Sequence, residues 1–269
     1  MDNKELIKSL NDKAKFIRNK TIELHCSAPE TRIASSLSCV EILCVLYYGK
    51  ILTFDAKKPF MDERDRFISS KAHGVICLYP ILADLGFFPS SELDNICKEG
   101  TLLKAIPDML IPGFETINGS LGHGLGVGTG IALFLKKKKR TEKTWVLLGD
   151  GELNEGSNWE AIMFIGHHKI NNIVAIIDNN KGSMLDFCEN IIHLEPFEEK
   201  LQSFGWLTKR VDGHNVEALC ALFSEIKSTV QTSPIMIIAD TIKGKGITFL
   251  ETDPLSHIRN LTRESITNL

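Results

Sequence analysis

Two short apolar segments of the sequence each end in side chains that carry oxygen atoms. Asp150 follows segment 145–148, and a polar group ending at Asn180 follows segment 173–177. Such segments are typical of buried β-strands, and the chain between them has the pattern of one amphipathic helix. The spacing predicts a βαβ unit of roughly 30 residues. Because parallel sheets bind ligands outside the carboxyl ends of their strands, we expect Asp150 and Asn180 to lie side by side.

These two side chains have the chemistry of a cation site. A carboxylate and an amide oxygen, without sulfur ligands, suit a hard cation such as Mg²⁺, which usually takes further ligands from phosphate and water. The carbonyl group of Gly182 could be a third ligand, and Gly151 would let the backbone approach a diphosphate. Alternatively, Asp150 only caps a helix and Asn180 only forms a turn. Their pairing at two strand ends favours the metal site.

The elements that must position these residues alternate along the chain. Strands are predicted at 64–69, 145–148, 173–177, 207–211 and 234–239, with helical patterns before and between them. This alternation predicts an α/β fold with a doubly wound, mainly parallel sheet and helices on both faces. Residues 1–269 would form a single domain, on which the helices of residues 1–60 pack. After an irregular segment at 26–35, a helix should begin near Ser38, since Ser38 and Glu41 have capping-box spacing.

Glycine is unusually frequent at one place, at positions 119, 122, 124, 126, 128 and 130. Glycine disfavours a helix by roughly 1 kcal/mol per position, so this density needs a reason. One explanation is close approach of the backbone to a ligand or a neighbouring element. The other is tight packing of a helix on the sheet alone, and the sequence does not choose between them.

Composition argues against two classes of partner. The formal net charge of −3 gives no reason to expect nucleic acid, and we interpret the basic run 136–140 as a helix end. The uncharged segment 116–135 is too polar at its start to span a membrane.

Seven scattered cysteines without a Cys-x-x-Cys pattern, and an N-terminus without a signal peptide, predict reduced thiols in a cytoplasmic protein.

The Gly-Asp-Gly sequence around Asp150, with Asn180 about one βαβ unit later, resembles the thiamine diphosphate motif. Four segments resemble consecutive signatures of the transketolase family, in the family's order. They are Arg64–Gly74, Asn118–Gly124, Gly149–Gly156 and Thr241–Gly246. The resemblance covers nearly the whole chain, but it corresponds only to the family's N-terminal, diphosphate-binding domain. The chain therefore looks like the N-terminal subunit of a split transketolase.

The resemblance implies roles for individual residues. Asp150, Asn180 and the carbonyl group of Gly182 would hold Mg²⁺, or Ca²⁺ or Mn²⁺ in its place. Thiamine diphosphate would contact His73, Gly119, Ser120, Leu121, Gly151, Glu152, Asn180 and His257. His73 and His257 would also be the catalytic residues, moving protons at the reacting oxygens. Without the surrounding motifs, both histidines would be interpreted as ordinary helix-terminal or surface residues.

The resemblance also implies an enzyme that needs a partner. Transketolases transfer a two-carbon ketol unit from a ketose to an aldehyde, through carbanion chemistry of the cofactor. The glutamate that activates the aminopyrimidine ring belongs to the family's second domain, which the resemblance does not include. We therefore expect a partner subunit with the pyrimidine-binding domain, in an α₂β₂ assembly. Glu155 and Glu160 match acidic positions that link the two active sites, although for Glu160 an ordinary helix face is an equally good explanation.

Two positions depart from the family pattern. Arg32 stands where the family has a substrate-contacting histidine, and Ile106 replaces a second histidine, while His25 is too early in the chain to substitute. Arginine stays protonated and cannot act as a base, but it could bind a phosphate or a carboxylate. We expect an unusual donor or acceptor, with a phosphorylated or otherwise anionic ketose as substrate.

Three other functions are compatible with parts of the sequence. A 2-oxoacid dehydrogenase subunit would share the residues around Asp150 and Asn180, but not segments 70–74 and 119–124. A cofactor-binding homologue without catalysis is a second alternative, given the two departures. A dinucleotide-dependent dehydrogenase is the third, but no strand immediately precedes the glycine pattern at 122–126.

Overall fold

The structure, a computed structural model, describes residues 2–262. Its strands are β1 (Arg66–Ser69), β2 (Thr144–Gly149), β3 (Ile173–Asn179), β4 (Leu207–Asp212) and β5 (Ile235–Asp240). They form one sheet in the order β1-β2-β3-β5-β4, and every neighbouring pair is parallel. All five coincide with predicted strands, so the predicted parallel α/β sheet is confirmed.

Ten α-helices accompany the sheet within the described residues. They are α1 (Asn3–Ser27), α2 (Ile33–Leu37), α3 (Val40–Tyr48), α4 (Leu78–Leu85), α5 (Gly124–Lys137), α6 (Gly156–His167), α7 (Cys188–Ile191), α8 (Phe197–Ser203), α9 (Val216–Ser228) and α10 (Thr248–Thr252). Short 3₁₀ segments lie at Ala72–Gly74, Ser90–Asn95, Gly151–Asn154 and Ser256–Ile258. No helix in residues 2–262 is both long enough and apolar enough to cross a membrane, and no disulfide joins cysteines there.

The strands divide their side chains between two cores. Trp145 and Leu147 of β2 belong to a core that includes residues of α1, α3, α4 and α9. Val146 and Leu148 belong to a second core with residues of α5, α6 and α8. Because side chains alternate along a strand, both faces of the sheet are covered by helices. This is the doubly wound arrangement that the sequence predicts.

The N-terminal region differs from expectation in two places. Residues 33–37 form α2, whereas the sequence indicates irregular chain up to residue 35. Helix α3 begins at Val40, two residues after Ser38, and Cys39 rather than Ser38 precedes its first residue. The hydroxyl of Ser38 donates to the carboxylate of Asp178, 2.6 Å away, and does not cap the helix. The capping-box prediction is therefore wrong, because a tertiary partner competes for the hydroxyl group.

Glycines of α5 lie against the sheet at some positions and face open space at others. A Cβ atom at Gly124 would lie 2.7 Å from the Cα atom of Ser70, and one at Gly128 would lie 2.8 Å from Val146. The positions with open space are Gly126 and Gly130. Tight packing of the helix on the sheet therefore explains Gly124 and Gly128. The helix ends at Lys137, so the basic run begins at its last turn, as expected.

Candidate active site

A cleft of about 270 Å³ lies at the carboxyl ends of four strands, β1, β2, β3 and β5. It brings together most of the residues predicted for the site, namely His73, Gly119, Leu121, Asp150, Gly151, Glu152, Asn180, Gly182 and His257. Ser120 is exposed, and it is not among the described residues that line the cleft. The cleft follows from the topology, since parallel strands carry the residues after their carboxyl ends to one edge.

Asp150 follows β2 and is a buried carboxylate, 4% exposed. Its Oδ1 accepts a hydrogen bond from the N–H of Gly151 (2.8 Å), and its Oδ2 accepts one from the N–H of Lys181 (2.6 Å). Burial, and then the neighbouring Asp178 carboxylate, raises the pKa of Asp150 to about 6. In residues 2–262 no lysine, arginine or histidine forms an ion pair with it. A buried carboxylate without a counter-ion fits a bound cation.

Asn180 and Gly182 place two more oxygen atoms at the cleft. The Oδ1 atom of Asn180 accepts from the N–H of Gly182 over 3.1 Å. The carbonyl oxygen of Gly182 accepts from Nζ of Lys243 over 3.0 Å, which leaves one of its two lone pairs. No three His, Cys, Asp or Glu side chains of the described chain form a metal-binding group. A cation here would therefore depend on Asp150, the amide and carbonyl oxygens, and oxygens of its ligand.

Two histidines face each other at the cleft. His73 lies in the 3₁₀ segment after β1 and His257 in the last 3₁₀ segment, with ring centroids 5.0 Å apart. Burial, and then the charge of Lys71, lowers the pKa of His73 to about 3. Burial, and then the charge of Lys243, lowers the pKa of His257 to about 4. Both rings are therefore neutral near pH 7, and each keeps one ring nitrogen that can accept a hydrogen bond.

A buried ion pair underlies the cleft. Lys71 is 2% exposed and donates to the carboxylate of Asp178, which is 0% exposed. Burial alone would lower the pKa of Lys71, but the Asp178 carboxylate holds it above its usual value. Burial alone would raise the pKa of Asp178, but Lys71 holds it below its usual value. Both partners are therefore charged in the folded chain.

Glu152 is buried, and its carboxylate faces three donors of the protein. It accepts from the N–H of Gly122 (2.9 Å), from the N–H of Gly149 (3.1 Å) and from the hydroxyl of Ser70. Burial raises its pKa. The carboxylate therefore holds the loop before α5 against the ends of β1 and β2. Its predicted contact with a cofactor stays a prediction.

The two residues that depart from the family pattern lie near the cleft, although neither is among the described residues that line it. Arg32 immediately precedes α2, and its guanidinium forms no ion pair within residues 2–262; its one hydrogen bond in this region goes to the carbonyl oxygen of Glu30, 3.5 Å away. After burial and Lys243, the charge of Arg32 also helps to lower the pKa of His257. Ile106 would lie 3.4 Å from a Cβ atom at Gly119, which lines the cleft. An arginine without an ion pair in residues 2–262 and an apolar side chain thus lie near the cleft.

The sequence interpretation missed several residues that line the cleft, namely Ser35, Lys71, Ser183, Met184 and Lys243. Lys71 and Lys243 follow the ends of β1 and β5, so the rule that identified Asp150 could have found them. Ser183 and Met184 lie in segment 181–193, where the sequence indicates only a loop. Nothing in their types or spacing marks them.

A comparison of the sequence with known families shows which family the chain belongs to. The family described as "Transketolase, thiamine diphosphate binding domain" matches residues 12–269. The chain belongs to the transketolase family. This confirms the resemblance to the family's N-terminal domain.

Related transketolase subunits have similar lengths. A 6-deoxy-6-sulfo-D-fructose transketolase subunit of Clostridium sp. (strain MSTE9) is 36% identical over 256 residues, which are 95% of this chain and 92% of the relative. An apulose-4-phosphate transketolase subunit of Phocaeicola vulgatus is 37% identical over 234 residues, 87% of this chain and 83% of the relative. Both are named as subunits rather than as complete transketolases.

A solved transketolase shows the same fold in a longer chain. The transketolase of Campylobacter jejuni superposes with a TM-score of 0.86 at 27% sequence identity. The match covers 92% of this chain but only 40% of the Campylobacter chain. This transketolase domain therefore spans less than half the length of that enzyme.

Proposed function

We propose that this transketolase domain is the diphosphate-binding subunit of an enzyme that transfers a two-carbon ketol unit from an anionic ketose to an aldehyde. The observation that carries the proposal is the cleft, which is lined by Asp150, Asn180 and Gly182 together with His73 and His257. Oxygen donors for a cation and neutral histidines for proton transfer are the two sets of groups that this chemistry needs.

The cleft fits the diphosphate end of thiamine diphosphate with Mg²⁺. Asp150, Asn180 and the carbonyl oxygen of Gly182 would hold the cation, which would compensate the buried carboxylate. Thiamine diphosphate, when bound, would supply the carbanion chemistry of ketol transfer. His73 and His257 would donate and accept protons at the substrate oxygens, and the buried walls would exclude water.

A partner subunit would complete the site. Large apolar side chains flank the cleft and are exposed in the chain alone: Ile117 is 60%, Met184 55% and Leu185 66% exposed. Exposed apolar groups of this kind mark interaction surfaces. The partner would supply the pyrimidine-binding domain and its glutamate, in an α₂β₂ assembly. Glu155 and Glu160 are also exposed, as a role at an interface between active sites requires.

An anionic substrate is supported by Arg32. A half-buried guanidinium without a carboxylate partner in the described chain is available to a substrate anion. The relatives' names give a sulfonated sugar for one and a sugar phosphate for the other, and both sugars are anionic. Ile106 adds an apolar contact, so the substrate would present fewer polar groups there.

The test is an assay of ketol transfer with the chain alone and with the chain joined to its partner subunit. Phosphorylated and sulfonated ketoses serve as donors, and 2-oxoacids serve as the competing substrate class. We expect transfer only in the complex, dependent on thiamine diphosphate and Mg²⁺, and lost in Asp150→Ala. The matched control is Asp186→Ala, which changes a half-buried aspartate of the loop after β3 that is not among the described residues lining the cleft.

Three results would count against parts of the proposal. Decarboxylation of 2-oxoacids without ketol transfer would favour the dehydrogenase-like alternative. Full activity of the isolated chain would remove the need for a partner. Efficient turnover of xylulose 5-phosphate with ribose 5-phosphate would show an ordinary transketolase substrate range.

A further inference from the structure

The buried ion pair of Lys71, which lines the cleft, and Asp178, which does not, has no part in the proposed chemistry, but it contacts a proposed cation ligand. Nζ of Lys71 donates to Oδ2 of Asp178 and, over 2.8 Å, to the carbonyl oxygen of Ser35. Asp178 also accepts from the hydroxyls of Ser38, at 2.6 Å, and Thr241. Four donors from different segments thus converge on one carboxylate, and the fourth is the amide of Asn180.

Asp178 determines which end of the Asn180 amide faces the cleft. Nδ2 of Asn180 donates to Oδ2 of Asp178 over 3.2 Å, and Oδ1 accepts from the N–H of Gly182 over 3.1 Å. A carboxylate can only accept, and a backbone N–H can only donate. A flipped amide would therefore lose both contacts at once. The amide oxygen is held on the Gly182 side, where the proposed cation ligands gather.

We infer that Asp178 is a positioning residue, which holds the amide of Asn180 with its oxygen turned toward the cation. The inference rests on the proposed function, because it takes the cation site from there. Asp178 is not among the described residues that line the cleft, so it acts through Asn180. Partners that orient metal ligands typically set metal affinity by about 10–100-fold.

Lys71 allows a charged acceptor to stand at this buried position. Without the lysine, Asp178 would be an uncompensated charge in the core, which is strongly destabilising. Lys71 also ties Ser35 of α2 to the sheet, and the hydroxyl of Ser35 lies 3.3 Å from Nδ1 of His257. Through Asp178 and Ser35, the same ammonium therefore connects the proposed cation ligand Asn180 with His257.

Two double variants separate the acceptor oxygen from the ion pair. K71M/D178N and K71M/D178L both remove the same two buried charges. Only the first keeps an oxygen that can accept from the amide of Asn180. Each variant is prepared in complex with the partner subunit, and Mn²⁺ is titrated in the presence of thiamine diphosphate by electron paramagnetic resonance. Thermal unfolding of each complex is recorded in parallel.

We expect K71M/D178N to bind Mn²⁺ nearly as well as the wild type, and K71M/D178L to bind it about 10–100-fold more weakly. Equal Mn²⁺ affinity of the two variants would overturn the inference. If the leucine variant does not fold, K71M/D178A removes the same oxygen without adding bulk and is compared instead. A wild-type complex that does not bind Mn²⁺ with thiamine diphosphate would overturn the proposed function itself.

Discussion

The side-chain ammonium of Lys243 donates to the carbonyl oxygen of Gly182 over 3.0 Å. It also donates to the carbonyl oxygen of Ser183 over 2.5 Å. Lys243 is buried, and burial lowers its pKa to about 8 even though the Asp150 carboxylate acts in the opposite direction. The loop that contains Gly182 therefore contacts both a buried lysine and the proposed cation. A bound diphosphate would contact positive charge from both.

Replacing this lysine should weaken cofactor binding. Lys243→Met keeps an apolar side chain of similar length but removes the ammonium that would face the diphosphate. We expect the Kd for thiamine diphosphate to rise about 10–100-fold, which corresponds to the loss of one charge-assisted hydrogen bond. The measurement is a fluorescence titration of the complex with thiamine diphosphate at saturating Mg²⁺. Lys245→Met is the matched control, and an equal effect of the two substitutions would contradict the prediction.

Arg32 should discriminate between anionic and neutral donors. We expect Arg32→Gln to raise KM for an anionic ketose about 10–100-fold with a smaller change in kcat, because a contact to a distant anion binds substrate and transition state alike. KM for a neutral ketose should change little. Arg32→Lys keeps the charge but loses the planar fork, so its KM should be intermediate. Steady-state kinetics with the anionic and the neutral ketose measure these changes. An equal rise in KM for the two ketoses would exclude an anion contact.

The residues at the carboxyl edge of the sheet could be predicted because the rule that identifies them uses only the local sequence. Asp150 and Asn180 directly follow apolar segments, and the topology of parallel strands places such residues together. The Lys71–Asp178 pair was not predictable, since its partners lie 107 residues apart and belong to the ends of strands that are not neighbours in the sheet. Ser38 shows the same limit. Its spacing to Glu41 fits a cap, but its hydroxyl binds a carboxylate that only the folded sheet brings near.

The glycines of α5 show what the sequence leaves open. Their number indicates close approach of backbones, but not which of them lie against the sheet. Gly128 faces Val146, whereas Gly130 faces open space, so orientation on the helix separates two residues of identical type. A helical period alone could not settle this, since glycine has no side chain that marks a face.

Alanine substitution should therefore have opposite effects at these two positions. Gly128→Ala places a Cβ atom 2.8 Å from Val146, and overpacking of this kind should lower the free energy of unfolding by about 1–3 kcal/mol. Gly130→Ala should raise it by about 0.5–1 kcal/mol, because alanine favours a helix and meets no neighbour in the described chain. Urea unfolding of the isolated chain measures both. Two substitutions with the same sign would contradict the orientation.

His25 couples stability to pH through its ring nitrogens. The N–H of Leu261 donates to its Nε2 over 3.0 Å, so the neutral ring carries its proton on Nδ1. Nδ1 lies 2.8 Å from the hydroxyl oxygen of Thr31, to which it donates. Burial, and then the charge of Arg32, lowers the pKa of His25 to about 4. Protonation at Nε2 would place the N–H of the ring against the N–H of Leu261 and break the hydrogen bond between them.

The folded chain should therefore lose stability in mild acid. Unfolded histidine titrates near pH 6.5, so the unfolded state binds more protons than the folded state between about pH 6.5 and 4. The contribution of His25 is fully present above this range and declines as the pH falls through it, by about 2 kcal/mol after solvent screening. Urea unfolding at pH 7.0 and 4.5 measures the loss in the wild type and in His25→Gln, whose amide does not titrate. The wild type should lose more between the two pH values than the variant, because only its ring must gain a proton; parallel losses would show that other groups set the pH dependence.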